Sequence, residues 1–325
     1  MRSARPRVGV VLGDPAGIGP EVAVKVLASG EPFDAELVVV GDPRHLRRGE
    51  QIAGVRVPAE LPVETVEGPG PDEIALGALS ELGGRVALAA LSRALDLARE
   101  GRLDAVVFAP LNKAALRRAG SRFADEHQFF ADYLGHTGVF GELNVLDRLW
   151  TSRVTSHVPL RAVAGLITEA RVVDAIRLAD ASLRQAGIEA PRLGVAALNP
   201  HAGENGMFGD EEIRILAPAI ARAREEGIDA EGPVSADVIF VRARAGRYDA
   251  VVTMYHDQGQ VAMKLMGFER GVTVSGGLPI PITTPAHGTA FDIAGKGVAN
   301  PGAFREALRL AVRMARRGRP APPRA

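Results

Sequence analysis

Residues 8–15, Val-Gly-Val-Val-Leu-Gly-Asp-Pro, set the plan of the chain. A short β-branched run closes on a Gly-Asp-Pro turn, as expected of a buried parallel strand. Pro20 and Glu21 then open a helix, the proline suiting its first turn and the carboxylate its dipole. The unit recurs. Residues 36–40 end in Gly41-Asp42-Pro43, residues 104–109 run into Asn112-Lys113, residues 153–156 lead to His157, residues 193–197 to His201, and residues 249–254 to His256. Helices are predicted over 83–100, 168–185 and 210–226, whereas 50–75, rich in Pro, Gly and Glu, reads as loops and edge strands. Such alternation predicts an α/β fold with a parallel sheet and helices on both faces. The polar motifs fall just after the carboxyl ends of strands, the edge where open α/β sheets bind ligands.

Composition narrows the function. Of 325 residues, 46% are hydrophobic and 24% charged, with 39 basic and 39 acidic residues and a formal net charge of zero. That balance speaks against nucleic-acid or membrane-surface binding, and 5% aromatics are too few for stacked-base recognition. Without cysteine there are no disulfides, zinc ribbons, thiolate nucleophiles or iron–sulfur clusters. Any metal must be held by imidazole or oxygen. The apolar run at 8–12 is too short for a signal peptide, and no stretch approaches the roughly 20 apolar residues of a membrane span. A soluble cytoplasmic protein is expected, with a frayed tail ending in RRGRPAPPRA.

Three histidines, His157, His201 and His256, each follow a strand beside Pro or Gly. Singly, each reads as a hydrogen-bonding group at a strand end. Together they could hold a divalent ion with positions open for substrate, although their spacing matches no compact metal motif. Only four of the 39 basic residues are lysines, and Lys264 stands in the apolar segment Q-V-A-M-K-L-M-G-F. It is either snorkelling or functional, binding a carboxylate or moving a proton. Asp237 reads as a surface cap or a cleft residue. In H-G-T-A-F-D-I-A-G-K-G-V-A-N-P, residues 287–301, Asp292 among glycines 288, 295 and 297 could accept ribose hydroxyls, or the stretch is a glycine-rich loop with a helix cap. The glycines of G-D-P-A-G-I-G-P-E could cradle a phosphate or simply make a tight turn. His45 and His136 read as surface or loop histidines, Trp150 and Tyr133 as packing residues.

The stretches GDPAGIGPEV, APLNKAAL, TSHVPLR, LNPHAGENGMFGDEE, ADVIF, YDAVVTMYHDQGQVAMKLMGF and HGTAFDIAG occur in one order over nearly the whole chain. In them the protein resembles the 4-hydroxythreonine-4-phosphate dehydrogenase family. The resemblance implies the fold of the isocitrate and isopropylmalate dehydrogenases, with two α/β/α subdomains around a central cleft. The first would comprise 1–140 plus 280–325. The second, 141–279, would bind the metal and form the dimer. It implies a divalent cation (zinc, cobalt, magnesium or similar) on His157, His201 and His256, one of them donated by the second subunit of a homodimer. It further implies Lys264 as substrate contact, Asp237 as a buried site aspartate, and NAD on the loop carrying His287, Gly288 and Asp292.

The departures concern the substrate. The family's substrate-holding Gly-His-Thr-Glu is replaced by Asp125-Glu126-His127-Gln128, and two further contacts, normally Asn and Arg, are Thr273 and Ile282. Ile in place of Arg removes a bidentate anion clamp, and Glu126 would repel a phosphate dianion. His127 and Thr273 are the candidate substrate contacts. The expectation is an NAD- and metal-dependent oxidation, with decarboxylation, of a 3-hydroxy acid of the 4-phosphohydroxy-threonine type, the substrate being altered or unphosphorylated. Two readings compete. One is the authentic phosphate-specific enzyme of pyridoxal phosphate biosynthesis, with Arg122 or Arg270 holding the phosphate. The other is a non-catalytic metabolite-binding protein.

Overall fold

The computed structural model describes residues 5–123 and 125–317. Its strands are β1 (Arg7–Val11), β2 (Glu36–Gly41), β3 (Val63–Thr65), β4 (Ala105–Phe108), β5 (Gly141–Leu146), β6 (Leu149–Arg153), β7 (Arg192–Ala196), β8 (Asp229–Val234), β9 (Ala250–Thr253), β10 (Val272–Gly276) and β11 (Ile282–Pro285). Its helices are α1 (Gly19–Leu27), α2 (Pro43–Ala53), α3 (Glu81–Arg99), α4 (Lys113–Arg118), α5 (Glu126–Tyr133), α6 (Leu160–Leu166), α7 (Glu169–Gln185), α8 (Ala217–Glu225), α9 (Ala236–Arg244), α10 (His256–Gly267) and α11 (Gly302–Arg317). The tail from residue 318, expected to fray, lies outside the described residues. No described helix is long and apolar enough to cross a membrane. The chain divides into two compact units, at Thr137 and again at Gly271, so the first unit is discontinuous.

The first unit carries its strands in the order β3-β2-β1-β4-β11-β10. All run parallel except β10, which is antiparallel to β11 with Thr273 opposite Thr284. That ladder draws residues 272–279 into the first unit, whereas the sequence reading placed them in the second. Val8, Val10, Val39, Val40 and Val107 are fully buried, as two-sided parallel strands require. Phe108 meets Phe130 of α5 edge-to-face, with centroids 5.5 Å apart. On α11, Phe304, Ala307, Leu308 and Ala311 recur at helical spacing and are buried.

The second unit has the order β5-β6-β9-β7-β8, parallel except for the β5–β6 hairpin. The strand expected at 153–156 instead ends at Arg153 and is preceded by β5, which the sequence reading missed. The hairpin turns through Asp147, whose φ of +54° is left-handed, without the glycine that usually signals such a turn. Trp150 of β6 is buried, as a packing residue should be. The helix predicted over 210–226 is a π-helical turn, Glu212–Leu216, followed by α8.

α2 was also unexpected. Its signals are present, since Asp42 accepts from the amide of Arg44 as N-cap and Pro43 fills the first position. The helix buries His45, read from sequence as a surface residue. His45 Nε2 lies 2.9 Å from the Pro69 carbonyl, and burial pulls its pKa down, favouring the neutral ring.

The turn after β1 packs tightly on its neighbours. Gly13 has φ +74°, and a Cβ there would sit 2.5 Å from the carbonyl of Ala109. The amides of Asp14, Ala16, Gly17 and Ile18 are engaged by Pro110 O, Asp14 Oδ1, Asp14 O and Thr289 O. These donors are therefore not aimed at a phosphate, and the tight-turn reading holds. Asp14 is buried, and its Oδ2 has no hydrogen-bond partner among the described residues. Burial raises its pKa to about 6, opposed by the Ala16 amide. A raised carboxyl pKa favours the native state below the unfolded-chain value, and that advantage is lost as pH rises through 4 to 6. The loss is of order 3 kcal/mol. Asp14→Asn should match the wild type near pH 4 and exceed it by about 3 kcal/mol at pH 7.5, read from urea midpoints. A difference unchanged with pH would refute the assignment.

Candidate active site

The second unit brings the carboxyl ends of β6, β7 and β9 together through side chains that sequence inspection passed over. Thr155 donates from Oγ1 to the Met254 carbonyl at 2.8 Å, tying the His157 loop to the His256 loop. Gln258 accepts from the Met254 amide at 2.7 Å and donates to the Ala197 carbonyl at 2.8 Å, joining the ends of β9 and β7. His157 adopts a left-handed φ of +47°. Its ring lies 5.4 Å from that of His256, centroid to centroid, with a tilt of 41°. His256 opens α10 and holds its Nδ1 2.6 Å from Asp257 Oδ1. A carboxylate on one ring nitrogen leaves the other as a metal ligand and sets its orientation.

His201 stands apart from this pair. It begins a run of left-handed residues, with φ +53° at His201, +54° at Ala202, +41° at Glu204 and +56° at Asn205. Each non-glycine residue there costs roughly 1–2 kcal/mol, so the surroundings must hold the loop. Glu212 does so. Almost wholly buried, it accepts from the amides of Leu198 at 2.8 Å and Asn199 at 2.7 Å, and from Asn199 Nδ2 at 2.9 Å. The His201 ring packs edge-on against Phe208, with centroids 6.2 Å apart. Among the described residues of one chain, no three His or acidic side chains enclose a metal position.

Lys264 lies on α10 two turns beyond His256 and is exposed. Asp237 lies in the first turn of α9 and is also exposed in this chain, not buried as the resemblance implied. The Ser235 hydroxyl, 2.6 Å away, holds its pKa below the usual carboxylate value, with backbone amides and His201 adding to the effect. Asp237 is thus ionised at neutral pH.

In the first unit, Ile18 donates to the Thr289 carbonyl, so the Gly13–Gly19 turn carries the 287–292 loop. His287 Nδ1 lies 3.1 Å from the Gly288 carbonyl. A Cβ on Gly288 would meet nothing within 4 Å, and Asp292 is exposed. Gly297 instead serves the fold, since a Cβ there would lie 2.6 Å from Ile52 O. Lys25 is likewise structural, held by Glu21 and the carbonyls of Gly297 and Ala299.

The replaced substrate residues are built into this unit. His127 is buried on α5, its Nδ1 2.6 Å from Ser275 Oγ of β10. Thr273 is buried two residues earlier on β10, and Ile282 is fully buried on β11. Lys113 Nζ lies 3.6 Å from Glu126 Oε2, while Asn112 caps α4 through Ala115 N. Glu126 therefore stands beside a compensating cation. Arg122 and Arg270 are exposed and paired with Asp132 and Asp147.

Glu212→Leu should strip three donors of their acceptor and lower stability by about 3 kcal/mol, read from urea denaturation. Glu212→Gln should lose less, because one oxygen still accepts. Equal losses would argue against the loop-holding role.

Comparison with known proteins gives this arrangement a family. Residues 33–311 match the family described as Pyridoxal phosphate biosynthetic protein PdxA. A Pseudomonas aeruginosa protein provisionally named 4-hydroxythreonine-4-phosphate dehydrogenase 2 is 53% identical over 328 residues, covering 96% of this chain and 97% of its own. The crystal structure of 4-hydroxythreonine-4-phosphate dehydrogenase from Klebsiella pneumoniae superposes with a TM-score of 0.85 at 37% identity, covering 97% of this chain and all of that one. That of a terephthalate 1,2-cis-dihydrodiol dehydrogenase from Burkholderia xenovorans LB400 superposes with a TM-score of 0.69 at 31% identity, covering 95% and 98%. This chain belongs to the PdxA family of dehydrogenases, which act on a CH–OH group.

Proposed function

We propose that the protein is an NAD- and divalent-metal-dependent dehydrogenase that oxidises the secondary alcohol of a 3-hydroxy acid and releases carbon dioxide from the resulting β-keto acid. The observation that carries the reading is the His157–His256 pair, its second ring oriented by Asp257, at the strand edge that also bears α10 and Lys264. Two imidazoles so placed suit a first-row divalent ion, and His201 of a second copy would complete the set. The unpaired apolar surface supports a homodimer. Val158, Leu160, Met207, Phe208, Val241 and Leu265 are exposed on the second unit, against Leu79 and Val298 on the first.

When bound, the ion supplies Lewis acidity, lowering the alcohol pKa and stabilising the enolate left by decarboxylation. Lys264 binds the substrate carboxylate or relays the alcohol proton. Asp237, ionised at neutral pH, is the acceptor at the end of that relay. NAD supplies hydride acceptance. The open side of Gly288 admits the nucleotide backbone, and the exposed Asp292 carboxylate suits a ribose diol and disfavours a 2′-phosphate. The reaction balances as hydroxy acid anion plus NAD⁺ giving β-keto acid anion, NADH and a proton, then loss of carbon dioxide to an enolate that takes up a proton at carbon. Such an enzyme is expected in the cytoplasm.

The substrate is read as unphosphorylated. Ile282, in the place of the family's Arg, is fully buried, and Glu126 forms an ion pair with Lys113, so neither presents net positive charge to a dianion. The structural relative named for a terephthalate dihydrodiol supports this, because that name carries no phosphate. The second reading, the phosphate-specific enzyme, is favoured by the name of the 53% identical relative. It lacks its proposed anchors, since Arg122 and Arg270 are engaged at the surface.

NADH formation from a panel of 3-hydroxy acids and cis-diol acids, with and without a terminal phosphate, should favour an unphosphorylated compound. Chelation should abolish the activity and cobalt or zinc should restore it. A clear preference for 4-phosphohydroxy-threonine would overturn the substrate reading. His256→Ala should cost about three orders of magnitude in kcat/KM. A modest loss would overturn the metal reading.

A further inference from the structure

The helix that bears His256 and Lys264 is poorly anchored by apolar contacts. Of its twelve residues only Gly259 and Met263 are buried, with Ala262 and Met266 packed partly against the cluster around Phe240 and Tyr248. An apolar contact of that size is non-directional and would leave the helix axis and rotation loosely set.

Toward the end of α10 the sheet offers it apolar side chains, Leu146 beside Gly267 and Leu149 on the cluster that Met266 touches, but nearer its start the same face is polar. In the β5–β6 hairpin Asn144 stands opposite Thr151, which sets Glu142 opposite Arg153, and period-2 alternation puts all four on one face. Asn144 and Thr151 are buried, and the Arg153 side chain is only 7% exposed. Arg153 Nη2 lies 2.6 Å from Glu142 Oε2, and its Nη1 donates to Asn144 Oδ1 at 3.3 Å. Asn144 Nδ2 donates to Glu142 Oε1 at 3.1 Å. The layer reaches the helix at Gln260, whose Nε2 donates to Asn144 Oδ1. Gln260 lies midway between His256 and Lys264, at positions i, i+4 and i+8 of one helical face.

We propose that the Glu142–Arg153–Asn144 layer, acting through Gln260, is the device that sets the height and rotation of α10, making Asn144 and Gln260 positioning residues for the imidazole of His256 and the ammonium of Lys264. A hydrogen bond is directional where apolar packing is not. A buried polar layer gives up stability that an apolar layer would supply, the more so here because Arg153 Nε finds no hydrogen-bond partner among the described residues, and in return it specifies one register. Arg153 and Glu142 hold the Asn144 amide in one orientation, so its oxygen points at Gln260. The inference rests on the reading of His256 and Lys264 given above.

The test separates position from stability. Gln260→Leu or Asn144→Leu alone strands a buried polar partner and should lower both stability and activity. The double variant Asn144→Leu/Gln260→Leu removes both ends of the contact with the helix; Arg153 and Glu142 lose Asn144 but keep each other, and an apolar pair at the contact should restore most of the stability. In the double variant the thermal midpoint should return to within a few degrees of wild type. The cobalt dissociation constant should stay raised by about tenfold, and KM for the hydroxy acid should rise by a similar factor, as expected when ligand-orienting groups are lost. In the metal-free protein, hydrogen exchange of the amides of residues 258–266 should be faster than in wild type, with the β6 and β9 amides unchanged. If stability, cobalt affinity and exchange all return together, the layer is only packing and the inference falls. If His256→Ala and Lys264→Ala leave activity intact, the functional reading falls instead, and the exchange result still decides whether the layer positions α10.

Discussion

Everything placed at the ligand edge of the second unit depends on how the cut ends of parallel strands are satisfied. A strand that stops leaves amides and carbonyls in a crowded interior, and each unpaired group costs of order 1–3 kcal/mol. Gln258 meets this constraint for two strands at once, accepting from the Met254 amide and donating to the Ala197 carbonyl. Thr155 adds the third by donating to Met254 O. The side chains that close the backbone accounts therefore also fix the loops that present His157, His201 and His256.

The same economy recurs with charge. Buried carboxylates in this chain collect backbone amides, in some cases beside a cation, as Glu21 does with Lys25 and Asp42 with Arg44. Glu212 takes Leu198 and Asn199, Glu21 takes Ala299, and Asp14 takes Ala16. Where the acceptor count is complete, as at Glu212, a strained left-handed loop is held in place. Asp14 keeps one oxygen unpaired, and its burial raises its pKa to about 6. Glu126 instead meets a cation, with Lys113 Nζ 3.6 Å from its Oε2.

Two kinds of polar surface thus serve two tasks. At the strand ends, hydrogen bonds satisfy the backbone and hold loops. Between the β5–β6 hairpin and α10, they replace an apolar layer that would be more stabilising and less specific. The histidine pair lies where both systems meet, since α10 begins at His256 and reaches the strand ends through Gln258 and the hairpin through Gln260.

The strand-and-turn rhythm of residues 8–15 and its repeats was enough to identify an α/β chain, because burial on both faces forces continuous β-branched runs and chain reversal forces Gly, Asp and Pro. The three histidines stood out as a rare residue type just beyond strands, and Lys264 as one of four lysines, set in an apolar segment. The β5–β6 hairpin was not, since Asp147 makes its turn without glycine. Nor were the burial of His45, the exposure of Asp237 or the roles of Glu212, Gln258 and Gln260. Sequence records which groups can donate and accept. Which of them pair is decided by contacts between residues tens to more than a hundred positions apart, such as Gln258 with Ala197 and Gln260 with Asn144, and these exist only once the sheet has brought them together.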